Sequence, residues 1–327
     1  MELTTSVAVP AWTDFLETVP GSSIYQSPGL MQVYANTDGY RPGVVAVEGS
    51  RGIRALLAFV LVSYAGRRLP KFATRSLIVG GPLGEASEFS KLLAAHESLA
   101  IHQAVQSQIR NLSPPADRAV FEASGYEWQD HMNYMIDLTE GESTLLDRMS
   151  KSRRKSIAGA ERSGIQLLES GSPDVIAVYR LLQETYSRVK VPLAPRKLFE
   201  TALSPLVPRG QLWWFIAVVG GSSCAVRLVL RWQNTLYDWY AGSSELGRTH
   251  HADEWLVWQV LKRGVEEGCT LFDFGGGGPP EKAYGPAEFK RRFGGQATNP
   301  GRFEKAYCPI ALKAVRSAYS LARKISR

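Results

Sequence analysis

Cysteine is nearly absent from this 327-residue chain. The three that occur, Cys224, Cys269 and Cys308, are odd in number and far apart, which excludes a disulfide framework and a Cys-x-x-Cys metal site. No stretch approaches the ~20 consecutive apolar residues that a membrane span requires. The opening Met1-Glu-Leu-Thr-Thr-Ser has neither the basic start nor the apolar core of a secretory leader. A reducing, cytoplasmic setting is expected, with at most peripheral contact at the inner face of a membrane. Also missing are a Gly-x-Ser-x-Gly elbow, a distinct Ser/His/Asp arrangement and a Gly-x-x-x-x-Gly-Lys phosphate loop. His250 and His251 with Glu254 begin a ligand pattern that no further run completes, so no metal is expected. His96, His102 and His131 stand singly.

With 44% hydrophobic residues the chain buries an ample core, and its length suggests about two domains. Charged residues make up only 21%, yet they balance to +7. A basic surplus favours phosphate-rich partners such as nucleic acid, nucleotide or anionic membrane, and says nothing of fold.

Two segments share an order of elements. The first runs Val44–Gly49, Ile53–Val62, Ser76–Gly81, a long helix over Ser87–Gln108 and a close near Ile109. The second runs Trp214–Gly221, Cys224–Trp232, Leu236–Gly242, a helix over Asp253–Glu267 and the strand from Leu271. Both span roughly sixty residues, and the glycine pairs Gly49/Gly52 and Gly220/Gly221 fall at matching hairpins, so the spacing predicts a duplicated β-β-β-α-β unit. Asp137-Leu-Thr-Glu-Gly-Glu ends a strand and opens a helix. The basic helix over 150–164 follows, stopped by Gly164. These signals divide the chain into domains 1–145 and 146–327, with 150–164 as the bridge.

The chemistry concentrates in Thr270-Leu-Phe-Asp-Phe-Gly-Gly-Gly-Gly-Pro-Pro followed by Phe289-Lys-Arg-Arg-Phe293-Gly-Gly. It reads as a buried strand, a wide glycine turn and a short basic helix. Lys290, near the start of that helix between two anchoring phenylalanines, suits an oxyanion-stabilising role. Period-two alternation sets Asp273 opposite its aromatic neighbours, where it holds the glycine turn, pairs with Arg227 or Lys290, or acts as a base. Gly275 and Gly276, within the run to Gly278, permit close backbone approach. Arg188 and Arg196 flank the rigid Val191-Pro-Leu-Ala-Pro195 and carry the guanidinium fork that suits carboxylate or phosphate. Tyr237 and Trp239 share one strand face and Tyr240 takes the other; one face is core, the other is open to a substrate.

The ordered pair of motifs resembles the C-terminal signature of the Fem-type acyltransferases. Ile24-Tyr-Gln-Ser-Pro-Gly-Leu-Met resembles that family's entry to its first domain, Lys151–Gly164 its basic inter-domain helix, and Gln183–Arg188 with Pro195–Phe199 its helix-loop-helix at the substrate cleft. The resemblance implies an α/β fold of two tandem GNAT-like domains, mixed sheets flanked by helices, with the working cleft between them and mainly on the second. It implies transfer of an activated acyl group, typically an amino acid from aminoacyl-tRNA, onto a substrate amine such as that of a lipid-linked cell-wall peptide. Lys290 and Asp273 would be catalytic; Arg188, Arg196, Arg227, Tyr237, Tyr240, Gly275 and Gly276 would bind substrate. Two features depart from the pattern: Met31-Gln-Val-Tyr34 has no lysine where members acting on lipid-linked muropeptide commonly carry one, and no coiled-coil insertion is present.

An acetyl-CoA enzyme of this fold carries a glycine-rich loop before its long helix, whereas Leu246-Gly-Arg-Thr-His-His-Ala-Asp-Glu has one glycine and acids that repel a pyrophosphate. The donor is therefore expected to be aminoacyl-tRNA, its phosphates met by Lys151, Arg153, Arg154 and Lys155, with no tightly bound cofactor and no DNA partner. The alternative is an acyl-CoA-dependent N-acyltransferase acting on an amino sugar or polysaccharide precursor. A non-catalytic basic RNA- or membrane-binding module is the reading of a different class. Finally, Ala311, Val315, Ala318, Ala322 and Ile325 form a helical stripe beside Lys313, Arg316, Arg323, Lys324 and Arg327, which packs on the second domain or meets anionic lipid.

Overall fold

The computed structural model describes residues 2–63, 70–169, 173–281, 285–315 and 317. The chain folds into two compact units, one formed by Met1–Asp130 with Asn299–Arg327, the other by His131–Thr298.

The first unit contains β1 (Glu2–Thr4), α1 (Val9–Thr18), α2 (Pro28–Ala35), β2 (Tyr40–Gly49), β3 (Gly52–Ser63), β4 (Thr74–Val79), β5 (Leu83–Gly84), α3 (Phe89–Ala100), β6 (Gln106–Arg110), α4 (Ala119–Ala123) and β7 (Glu127–Gln129). The second contains β8 (Met132–Asp137), α5 (Gly141–Arg148), α6 (Lys151–Arg162), β9 (Gln166–Glu169), α7 (Val175–Val189), α8 (Arg196–Leu206), β10 (Leu212–Val219), β11 (Ser222–Trp232), β12 (Thr235–Ser243), α9 (Glu245–Thr249), α10 (Ala252–Glu266), β13 (Leu271–Gly278), α11 (Gly285–Arg291) and β14 (Gln296–Thr298). The chain then returns to the first unit as β15 (Arg302–Ala306).

Both sheets obey one plan. In the first, the order is β1-β2-β3-β4-β6-β15-β7; in the second, β14-β8-β13-β12-β11-β10-β9. Each has three antiparallel strands, a helix and a parallel fourth strand: β2-β3-β4-α3-β6 and β10-β11-β12-α10-β13. The expected β-β-β-α-β duplication is therefore present. The hairpins turn where the glycines allow it, since Gly52, Gly220 and Gly221 all take positive φ. Next to the fourth strand each sheet receives an antiparallel strand from a distant part of the chain, β15 beside β6 and β8 beside β13. This is why the compact units divide at 130/131 and 298/299, whereas the sequence signals pointed to 145/146. A cut at 145 would strip β8 from β13, its partner over six registered pairs.

Three local expectations change. The first-unit helix ends at Ala100, and residues 106–110, read as the end of that helix and its close, are strand β6. Ser107 and Gln108 are polar yet buried there, so pairing with β4 and packing override the local pattern. The glycine run is not a turn: Gly275–Gly278 continue β13, which stays paired to β8 through two bulges. Positive φ at Gly275 and Gly278 makes this possible. Lys290 lies in the last turn of α11, which starts at Gly285 and not near Phe289.

The second core gathers the inner faces of β8, β11, β12 and β13 with α5, α6 and α10, and is closed by Phe272, Phe274 and Phe293. Residues 309–315 and 317 are helical, with Leu312 buried, Ala311 and Val315 half-buried and Ile310 86% exposed. Ala318, Ala322 and Ile325 of the expected stripe, and Arg316, Arg323, Lys324 and Arg327, lie outside the described residues. Among the described residues no helix is long and apolar enough to cross a membrane.

Candidate active site

Strands β12 and β13 run parallel and pair only from Thr235↔Leu271 to Tyr237↔Asp273. Beyond that point β12 continues to Ser243 along β11, and β13 continues to Gly278 along β8, so the sheet opens into a notch. The sequence drives the parting from both sides. In β12 a bulge leaves Trp239 without a register partner, and in β13 bulges fall at Phe274 and Gly277. The equivalent strands of the first unit, β4 and β6, stay in register from Arg75↔Gln106 to Val79↔Arg110 and leave no such notch.

Charged groups converge at its base. Lys290 is half-buried, donates from Nζ to the Gly276 carbonyl at 3.0 Å and lies 5.6 Å from the centre of the Phe274 ring. Desolvation pulls its ammonium down to about 8, against the charges of Asp238 and Asp273 and with added repulsion from Arg227. Asp273 is buried and accepts from Asn133 Nδ2 at 2.9 Å and from the Gly275 amide at 2.8 Å. Burial raises its pKa, and those two hydrogen bonds with the charge of Lys290 only partly offset the rise. Asp273 therefore holds the glycine segment, as one of its expected roles required. Tyr237, its register partner, is buried too, and desolvation followed by the charge of Asp273 carries its phenol above the ordinary range.

Arg227, 2% exposed, binds two other acids: Asp238 Oδ1 at 2.6 Å and Asp253 Oδ1 at 2.5 Å. Burial alone would lower its pKa, but the two carboxylates outweigh burial and hold it above its usual value. It ties β11 to β12 and to the first turn of α10. Arg153 does the same for the next acid. It is buried, pairs with Glu254 at 2.7 Å, and lies over the Phe289 and Phe293 rings at 4.5 and 4.7 Å. Arg154 donates to the carbonyls of Leu146, Asp147 and Met149 at the end of α5. Of the expected phosphate cluster only Lys151 and Lys155 are exposed.

This alters the electrostatics of the α10 N-terminus. Asp253 and Glu254 do not present bare charge, because each pairs with a buried arginine, Arg227 sharing its single charge between Asp253 and Asp238. His251, the residue before the helix, takes φ 54° and makes no side-chain cap, leaving a backbone shape usually given to glycine. The repulsion expected to disfavour a pyrophosphate is therefore reduced within the fold, while first-turn amides keep their positive end. His251 lies 3.9 Å from Glu254, and among the described residues no group of three or more His, Cys, Asp or Glu is placed to hold a metal ion.

On the opposite face of the sheet the bulge also breaks the expected alternation. Trp239 and Tyr240 both reach Phe199 of α8, at 5.8 and 4.9 Å, instead of facing apart. Tyr240 also meets Tyr186 of α7, so α7 and α8 flank the notch. Arg196 pairs with Glu200 at 2.7 Å on the surface of α8, and Arg188 is exposed at the end of α7; the contacts of neither lead to Lys290. Sequence reasoning missed Asp238 and Asn133. Asp238 is one strand position from Tyr237, and a carboxylate amid Leu-Tyr-Asp-Trp-Tyr was the available signal.

Residues 147–291 match the sequence profile of the acetyltransferase (GNAT) domain. No curated protein sequence gives a significant match. The structure of FemX superposes with a TM-score of 0.71 at 14% identity, covering 96% of this chain and all 100% of that one. The C-terminal domain of a putative lysylphosphatidylglycerol synthetase from Agrobacterium fabrum follows with a TM-score of 0.62, 13% identity and 95% coverage of both chains. A tandem GNAT protein from the clavulanic acid biosynthesis pathway gives 0.61 at 14% identity, covering 94% of this chain and 99% of its own. At such identities the likeness establishes the fold, and the domain profile spans the notch, Lys290 and α10. Residues 147–291 thus carry the match to the acetyltransferase (GNAT) domain, within a tandem fold like that of FemX.

Proposed function

We propose that the second unit transfers an acyl group from an acyl-CoA thioester to an amine-bearing acceptor. The observation that carries this reading is the parting of β12 and β13 with Lys290 Nζ at its base. The parted edges suit an extended pantetheine arm, and the α10 N-terminus, its acids each paired with an arginine, suits the pyrophosphate. The amine nitrogen attacks the thioester carbonyl carbon, and the Lys290 ammonium meets the oxyanion that develops. The amine proton passes to Asp273, whose burial-raised pKa makes it a better acceptor than an exposed carboxylate. The C–S bond then breaks, and the thiolate leaves and takes up a proton.

A second reading, an aminoacyl-tRNA donor, is supported by exposed Lys151 and Lys155 and by the likeness to FemX. Its acceptor would be a lipid-linked cell-wall peptide; that of the thioester reading would be an amino sugar or polysaccharide precursor. Either donor carries a cytoplasmic location, where both are made. The test incubates candidate acceptors with acyl-CoA, or with charged tRNA with and without ribonuclease, and reads product mass. Transfer from acyl-CoA that survives ribonuclease is expected; transfer requiring intact tRNA establishes the second reading, and transfer from neither sinks both.

A further inference from the structure

The connection between α7 and α8 is built to meet a charged, apolar-cored surface. Residues 188–197, Arg-Val-Lys-Val-Pro-Leu-Ala-Pro-Arg-Lys, carry four cations and no acid. Val189 and Val191 are 45% and 44% exposed, Pro192 is exposed beside them, and Arg188, Arg196 and Lys197 surround them at the surface. The segment is held firmly. The Val191 amide donates to the Tyr186 carbonyl at 3.1 Å, and Tyr179 donates from its hydroxyl to the Ala194 carbonyl at 3.0 Å. Two prolines stiffen what lies between.

The backbone adds a second observation. Lys190 caps α7 in the left-handed conformation, φ 54° and ψ 44°, a position where glycine is the default and any other side chain is strained. The residue at this position is a cation flanked in sequence by two exposed valines. Branched aliphatics on a rigid tip, ringed by cations, complement a bilayer whose headgroups are anionic and whose interior is apolar. Glu200, which pairs with Arg196 and lies 3.8 Å from Lys197, offsets one positive charge of the segment.

We propose that residues 188–197 dock the protein on an anionic lipid surface, Val189, Val191 and Pro192 entering the headgroup boundary. This docking site is separate from the C-terminal helix and goes beyond the acyl-transfer reading. One consequence does rest on that reading: since α7 and α8 flank the notch through Tyr186, Phe199 and Tyr240, docking would bring a lipid-borne amine to the transfer site.

The experiment is flotation of the full chain with vesicles of phosphatidylcholine alone or with about 30% phosphatidylglycerol. The wild type should bind the anionic vesicles at least tenfold better than neutral ones, and less in high salt. Lys190→Glu should weaken binding about tenfold or more, and Val189→Asp with Val191→Asp should abolish it. Lys313→Glu, in the C-terminal helix, should not reproduce that loss. Circular dichroism confirms folding, and turnover of a soluble acceptor separates a failure of docking from a failure of the acyl-transfer reading. Wild-type binding by the loop variants overturns the proposal, as does absence of wild-type binding. Loss of tRNA binding by Lys190→Glu, with vesicle binding unchanged, would assign the surface to nucleic acid instead.

Discussion

Replacing Lys290 by methionine should make the protein more stable at neutral pH while removing its activity. Burial lowers this ammonium from its ordinary 10.5 to about 8. At roughly 1.36 kcal/mol per pH unit, such a depression corresponds to about 3 kcal/mol of penalty on the charged form, and screening at a half-buried group leaves about 1–2 kcal/mol to recover. The sign follows from proton uptake. Between pH 8 and 10.5 the unfolded chain keeps the proton that the folded chain has released, so wild-type stability rises through that window. Below 8 both states are protonated and the full penalty is present. Urea unfolding at pH 7 and at pH 10.5 is the assay: the methionine variant should lead at pH 7, and the lead should vanish by 10.5. The same proton should govern turnover, because an oxyanion partner works when charged. Wild-type rate should fall as pH passes about 8, whereas Lys290→Arg, whose guanidinium stays charged, should lack that fall while keeping some activity. A methionine variant less stable than wild type at pH 7, or an arginine variant with the wild-type limb, would refute the reasoning.

Three further outcomes follow from the buried pairs and the glycine strand. Arg227→Ala leaves Asp238 and Asp253 uncompensated and should cost about 3–5 kcal/mol by denaturant unfolding, with Arg227→Lys failing to restore both contacts. Arg153→Ala should cost about 2–4 kcal/mol, since it strands Glu254 and uncovers two phenylalanine rings, whereas exposed Lys155→Ala should stay within about 0.5 kcal/mol; equal effects would return Arg153 to a surface role. Gly277→Ala would set a methyl 2.4 Å from the Tyr134 ring and should lower stability by about 1–3 kcal/mol, with a melting temperature unchanged from wild type counting against the bulged strand.

Much of the fold was legible because it follows from local pattern. Hairpin glycines, apolar alternation and two long helices exposed the duplicated unit, and Ser150 with Gly164 marked both ends of α6, one by capping it and the other by turning left-handed after it. What escaped depends on partners distant in sequence. The strand β6 is polar and reads as helix until β4 lies beside it, and the exchange of β8 and β15 leaves no trace in their own residues. At the site, Lys290 and Asp273 were visible through their motif, but their electrostatics were not: Asp238 and Arg227, which act on Lys290, lie on β12 and β11, far from the motif in sequence. The pairing of the acids at the start of α10 escaped for the same reason. Their charge was evident in sequence, while the arginines that pair with them lie 26 and 101 residues away.

The most direct test of the account is transfer by Lys290→Ala, measured in single turnover with a saturating acyl donor and the acceptor found by product mass. Loss of an oxyanion-stabilising group should slow the chemical step about 10²–10³-fold in a variant that folds as wild type and still binds donor. A folded Lys290→Ala enzyme that transfers at the wild-type rate would contradict the assignment of the notch between β12 and β13 as the site of acyl transfer.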